Sequence, residues 1–174
     1  TALSNTIRFK IGKTSSSNLY KMSMPGRFAI QRFLRNAVEQ KCDYAIMEMT
    51  SQGALLYRHR FIELNAFVFT NLAPEHIEAH GSYENYADAK ASICRTLAIS
   101  HKTNKIIIVN ADDPESKRFL ECEADKKILY GINDVKPYAI KNEGIDFTFN
   151  GKIVHSKLSG LFNLYNILAA ASTA

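Results

Sequence analysis

The sequence predicts an α/β fold: a mostly parallel sheet with helices on both faces, plus a small antiparallel β appendage. Two observations predict it. Short apolar runs alternate with amphipathic helical stretches as far as about residue 127, the pattern of strands covered on both sides. Beyond that point four strand-like segments, "KKILYG", "KPYAIK", "IDFTFN" and "KIVHSK", follow one another closely, with Gly131, Gly144 and Gly151 at turns. The expected core covers about 1–131 and 160–174, and the appendage about 132–159.

Taken in order, "TIRFKIG" alternates like a half-exposed edge strand, and Ser15-Ser16-Ser17-Asn18 reads as polar loop. Pro25-Gly26 marks the start of a helix over Arg27–Gln40, with Phe28, Ile30, Phe33, Leu34, Ala37 and Val38 mostly on one face. "DYAIMEM" and "LNAFVFT" read as buried strands, "ENYADAKASICRTLAIS" as a long helix, and "KIIIVN" as the clearest buried strand. "PESKRFLECE" is a short helix for which Asp112 or Asp113 would be the N-cap. The chain closes on "GLFNLYNILAAASTA", a helical start with nothing evident to pack on and no capping signal. Both ends read as cut, so the chain is expected to be a piece of a larger protein.

The 174 residues suffice for one domain with a good core, and 46% hydrophobic content marks a globular chain. No apolar run approaches membrane-spanning length, and "TALSNTIRF" does not resemble a signal peptide. Cys42, Cys94 and Cys122 are odd in number and far apart, which points to a reducing cytoplasm and against a disulfide framework or cysteine zinc site. Cys42 and Cys94 read as buried apolar residues. The net charge of +5 suits an anionic partner, but the basic residues are scattered as on an ordinary solvated surface. Neither nucleic acid nor membrane is an expected partner.

"FKIGKTSSS" contains the Gly-Lys-Thr that ends a phosphate-binding P-loop. That motif needs a first glycine five residues before the second, and the position is Ile7. A turn after an edge strand accounts for it. Chemistry is expected instead at the carboxyl ends of the parallel strands. Glu48 ends one of them, followed by Thr50 and Ser51; an acid there suits Mg²⁺, or is simply an exposed strand-end acid. "FVFTNLAPEHIEAHG" gathers Asn71, Glu75, His76, Glu78 and His80. His76 and His80 lack the glutamate after the first histidine that zinc proteases use, so a magnesium or phosphate site, or plain helix capping, fits better. Lys90 lies on an alanine-rich helix face. Asn110, Asp112 and Asp113 read first as a turn and a cap.

"MEMTSQG", "FTNLAPEHIEAHGSYENYADAK", "VNADDP" and "GLFNLYNILAA" occur here in the order and spacing seen in the central domain of Mur ligases, a P-loop NTPase-like fold. The resemblance runs from about Ser23 to Ala170. It is strongest to the subgroup that adds the third amino acid to UDP-N-acetylmuramoyl-L-alanyl-D-glutamate in peptidoglycan synthesis. It implies an ATP-dependent amide ligase in which a substrate carboxylate is phosphorylated and the acyl phosphate is attacked by an amine. By position, Glu48 and His76 would bind Mg²⁺. Lys90 matches a lysine that the family carbamylates to make a second metal ligand. Ser23, Thr50 and Arg58 would contact the UDP-MurNAc-dipeptide, while Asn166 would meet the adenine of ATP, with Gly160 and Asn163 shaping that motif. Departures occur at Ser23-Met24, Thr50-Ser51-Gln52 and Glu75, where the family has paired threonines, Ser-Ser-His and aspartate. The resemblance also implies that the true P-loop and a carboxy-terminal domain lie outside these residues, and that this chain alone is inactive. A folylpolyglutamate-type ligase or a non-catalytic nucleotide-binding module are the alternatives.

Overall fold

A computed structural model describes residues 1–74 and 77–174. The chain forms two compact units. The first comprises Thr1–Ile62 and Pro74–Thr96, the second Glu63–Ala73 and Leu97–Ala174.

The first unit holds a four-stranded sheet of β1 (Ala2–Ser4), β2 (Arg8–Ile11), β3 (Thr14–Ser17) and β4 (Ala45–Met47), in the order β3-β2-β1-β4. β1 runs antiparallel to β2 and parallel to β4. Ile11 pairs with Thr14, so Gly12-Lys13 is a two-residue hairpin turn. Its first residue has φ +59, which glycine adopts without strain. The Gly-Lys-Thr triplet is therefore a hairpin tip, as the sequence suggested. The serines after it are a strand and not a loop, and β3, not β2, is the edge. Pairing with β2 supplies the ladder that composition alone did not signal.

Helix α1 (Arg27–Glu39) lays Phe33 and Ala37 against Ala2, with Phe9, Ile11, Leu34, Cys42 and Met47 around them. Phe28, 89% exposed, and Val38 do not share this face. Phe28 stands about 160° around the helix from buried Ile30 at 3.6 residues per turn. Helix α2 (Ser51–Leu55) is capped by Thr50, whose Oγ1 accepts from Gly53 N at 3.1 Å. Two further helices follow, α3 (Ile77–His80) and α4 (Tyr83–Ala98), the last residues of α4 belonging with the second unit.

In the second unit β5 (Ala66–Phe69), β6 (Ile106–Asn110) and β7 (Lys126–Tyr130) form a parallel sheet in the order β5-β6-β7. "KKILY", which resembles the short strands after it but lies within the bounds expected for the core, thus belongs to the parallel sheet. Phe67 and Phe69 stack on Phe119 of α5 (Ser116–Leu120), with centroids 5.7 and 3.8 Å away. Ile106, Ile108, Ile128 and Tyr130 point the other way and pack with Leu164, Leu168 and Ala169 of α6 (Leu161–Thr173). Helices therefore cover both faces. The terminal helix has a partner after all, this aliphatic sheet face. A 3-10 turn over Ile132–Val135 leads to the antiparallel appendage β8 (Tyr138–Lys141), β9 (Gly144–Phe149) and β10 (Lys152–Ser156), in the order β10-β9-β8. Its Ile145 and Phe147 join the same core.

β4 and β5 each form one edge of their sheet, and this corrects the expectation that both are buried. Ile46 is 56% exposed, and of β5 only Phe69 is fully buried. Cys94 and Cys122 are buried and Cys42 half-buried.

Candidate functional site

Glu48 follows directly on β4, where its backbone N–H donates to Ser4 O at 2.8 Å and continues the pairing with β1. Its carboxylate is exposed and turned towards the β1–β2 loop. Thr6 N–H donates to Oε2 at 2.8 Å, and Thr6 Oγ1 lies 3.0 Å from Oε2 and 3.2 Å from Oε1. The same hydroxyl is hydrogen-bonded to Oγ of buried Ser23. Two sequence-predicted residues, Glu48 and Ser23, are thus joined through a third that sequence reasoning missed. No local pattern marks Thr6; only the pairing of β1 with β4 brings positions 42 residues apart together.

Thr50 and Arg58 lie on either side of Met24. Thr50 N–H donates to Met24 Sδ at 3.3 Å, and Arg58 Nη1 donates to Met24 O and to Met22 Sδ. Together with Gln52 and Gly53 these residues line a cavity of about 90 Å³, room for one group of a ligand and not a whole one. Gly53 packs closely on Met24: a Cβ there would run into Met24 Sδ, so that side chain would have to shift. Among the described residues only Nη1 of Arg58 is engaged, and a guanidinium's other donors suit an anion.

Lys90 is half-buried on α4, with Nζ 5.2 Å from the centroid of the Tyr86 ring. Tyr86 in turn meets the edge of His80, at 5.3 Å between centroids. His80 is buried, its Nε2 3.1 Å from Ser51 Oγ and its Nδ1 without a hydrogen-bond partner among the described residues. No hydrogen bond ties Lys90 to Glu48 among the described residues. Glu75 and His76 lie outside those residues. The described residues contain no group of three or more His, Cys, Asp or Glu arranged to hold a metal.

In the second unit the polar residues after β6 are occupied structurally. Asn110 is buried, donates to Thr70 O at 2.8 Å and accepts from Asp112 N. Asp113 accepts from Leu72 N and Glu115 N, both at 2.9 Å. The N-cap position of α5 is Glu115, so Asp113 serves as a clamp between loops and not as the cap itself. Asp112 Oδ2 accepts from Ile132 N at 2.7 Å and from the Tyr165 hydroxyl at 2.9 Å. Burial, with that bond and the nearby charge, pushes the Tyr165 phenol up to about 12. At the start of α6, Gly160 has φ +92, and Asn163 Nδ2 donates back to Ser159 O at 2.7 Å. Asn163 thus shapes the turn, while Asn166 faces solvent.

All residues 1–174 match the family model described as Mur ligase middle domain. A UDP-N-acetylmuramyl-tripeptide synthetase of Roseiflexus sp. is 33% identical over the whole chain, which covers 38% of that protein. A UDP-N-acetylmuramoyl-L-alanyl-D-glutamate--2,6-diaminopimelate ligase of Bacillus cereus is 31% identical over 99% of the chain and 37% of its own length. A solved structure of such a diaminopimelate ligase superposes with a TM-score of 0.80 at 22% identity, over 99% of this chain and 37% of that one. MurF from Acinetobacter baumannii shares the fold less fully, with a TM-score of 0.64 at 19% identity over 78% of this chain and 31% of its own. The chain therefore spans well under half the length of these relatives.

Proposed function

The chain belongs to the Mur ligase family, as its middle domain, and on that premise we propose that it is the central part of an ATP-dependent ligase of cytoplasmic peptidoglycan synthesis. The reaction would join an amino acid to UDP-N-acetylmuramoyl-L-alanyl-D-glutamate. The match of all 174 residues to the family model carries this reading, and the names of the curated relatives support the choice of substrate.

Magnesium fits the residues present. An exposed carboxylate beyond a β-strand, with one oxygen lightly used, offers the hard oxygen donor that Mg²⁺ takes, and Mg²⁺ needs only one or two protein carboxylates beside substrate phosphates. When bound, it would neutralise phosphate charge as the acyl phosphate forms and breaks. Glu48 would hold it, with His76. Lys90 would contribute as a carbamate, which replaces a repelling cation by an anionic oxygen ligand. Ser23, Thr50 and Arg58 would orient the muramyl-dipeptide, the Arg58 fork meeting a carboxylate or phosphate. Asn166 on the exposed face of α6 would receive the adenine. Gly12-Lys13-Thr14, a hairpin tip, takes no part. Residues 1–174 alone are expected not to turn over.

The test is phosphate release by the intact protein given Mg-ATP, UDP-MurNAc-L-Ala-D-Glu and either meso-diaminopimelate or lysine. Turnover with one of the two amino acids is expected. None with either, in a folded protein that binds ATP, would overturn the ligase reading in favour of a nucleotide-binding module. Intact-mass measurement under bicarbonate, showing one added CO₂ lost in Lys90→Ala, would establish the carbamate.

A further inference from the structure

Thr6 lies outside every segment that carries the family resemblance, yet it contacts two of the residues proposed to do the chemistry. Its N–H and hydroxyl both reach Glu48 Oε2, at 2.8 and 3.0 Å, while Oε1 receives only a longer contact of 3.2 Å. A carboxylate has about four lone-pair sites, so Oε1 retains most of its capacity to bind a cation. The hydroxyl has a single proton. With Glu48 as an obligate acceptor, that proton goes to the carboxylate, and Thr6 Oγ1 must accept from Ser23. This order commits the Ser23 proton to Thr6 and leaves Ser23 Oγ with acceptor capacity only.

The loop carrying Thr6 is itself held rigid. Asn5 Oδ1 accepts from Ile7 N at 3.0 Å and Arg8 N at 2.8 Å. Buried Asn18 donates from one amide nitrogen to Asn5 O at 2.8 Å and to Met22 O at 2.9 Å, tying the Thr6 loop to the Ser23 loop. Such supporting contacts orient ligands before the ligand arrives.

We propose that Thr6 is a positioning residue that presents Glu48 Oε1 to the divalent cation and, by accepting the Ser23 proton, sets Ser23 Oγ as an acceptor for the muramyl substrate. This rests on the reading of Glu48 as a metal ligand given above.

The probe is Mn²⁺, titrated into the intact protein and followed by electron paramagnetic resonance. Thr6→Val should weaken Mn²⁺ binding about tenfold, and Thr6→Ser should restore it to within about threefold of wild type, the range expected for an outer-shell partner. Thr6→Ala must match Thr6→Val, which keeps the test valid if valine perturbs the fold. In the same variants KM for UDP-MurNAc-L-Ala-D-Glu should rise, an effect that loss of the metal contact alone would not give at saturating Mg²⁺. Wild-type Mn²⁺ binding in both Thr6→Val and Thr6→Ala, with binding lost in Glu48→Gln, would overturn the role of Thr6 alone. Unchanged binding in Glu48→Gln would overturn the metal-ligand reading on which it depends.

Discussion

The residues after β4 and those after β6 look alike as sequence: each strand ends in acidic or amide side chains at the end of a parallel pairing. In the structure they differ in what they still have to offer. Both oxygens of Asp113 are engaged with main-chain N–H groups, and Asp112 Oδ2 serves two donors at once. Glu48 is exposed, its carboxylate held by Thr6 alone among the described residues, and keeps an oxygen lightly used. An acid at a strand end is thus not a site in itself; the distinction lies in how much of its acceptor capacity the fold has already taken.

Substitutions at the two places should separate them, and the largest effect is expected at Glu48. Glu48→Gln should cut the proposed ligase activity of the intact protein about 100-fold or more, the usual scale for losing a charge-stabilising group. Its unfolding free energy should move by less than about 0.5 kcal/mol, as for an exposed side chain. Steady-state kinetics beside a denaturant titration would show both; a large loss of stability would erase the contrast. Asp113→Ala should behave the opposite way. It strands Leu72 N and Glu115 N, at a local cost of about 1–3 kcal/mol, read as faster amide exchange at those two positions. Tyr165→Phe removes one bond to Asp112 and should loosen the start of α6 by about 1 kcal/mol, on the same exchange readout.

The smallest effect concerns pH. Burial, helped by the Arg60 charge, holds the His59 imidazole below its ordinary value, and its Nδ1 has no hydrogen-bond partner among the described residues. Below about pH 6.5 the unfolded chain takes up a proton that the folded one refuses, so the first unit loses stability as pH falls, until the folded ring titrates. In the second unit, hydrogen bonds from Lys141 and then His155 hold the Asp146 carboxyl below its usual range. Its contribution is present above the ordinary carboxylate value and is lost only as pH falls through the lowered one. Amide protection, corrected for intrinsic exchange, should therefore soften in the first unit at higher pH than in the second. His59→Leu should remove that difference.

Much of the architecture was legible because apolar period and length are local. Ile106–Asn110 reads as a strand, Tyr83–Ala98 as a helix and Gly12-Lys13 as a turn without tertiary information. What failed was information about neighbours. Ile46 and Ala66 belong to apolar strands that turn out to be edges, and nothing in "DYAIMEM" or "LNAFVFT" says how many sides are paired. "KKILY" resembles the hairpin strands after it, and only its parallel register with β6 separates it from them. In the candidate site, Glu48, Thr50 and Arg58 were legible as motif residues, whereas Thr6 was not, because its meaning comes from a contact across 42 positions.

The hairpin tip at Gly12-Lys13 has a practical consequence. Lys13 and all four residues of β3 face solvent, and the space around the Gly12 Cα is open. An exposed tip between two short strands accepts inserted residues with little disturbance. A short epitope or a single dye-bearing cysteine placed there would report on the first unit while leaving the Glu48 neighbourhood intact, so the stretch that mimics a nucleotide grip is best suited to carrying a label.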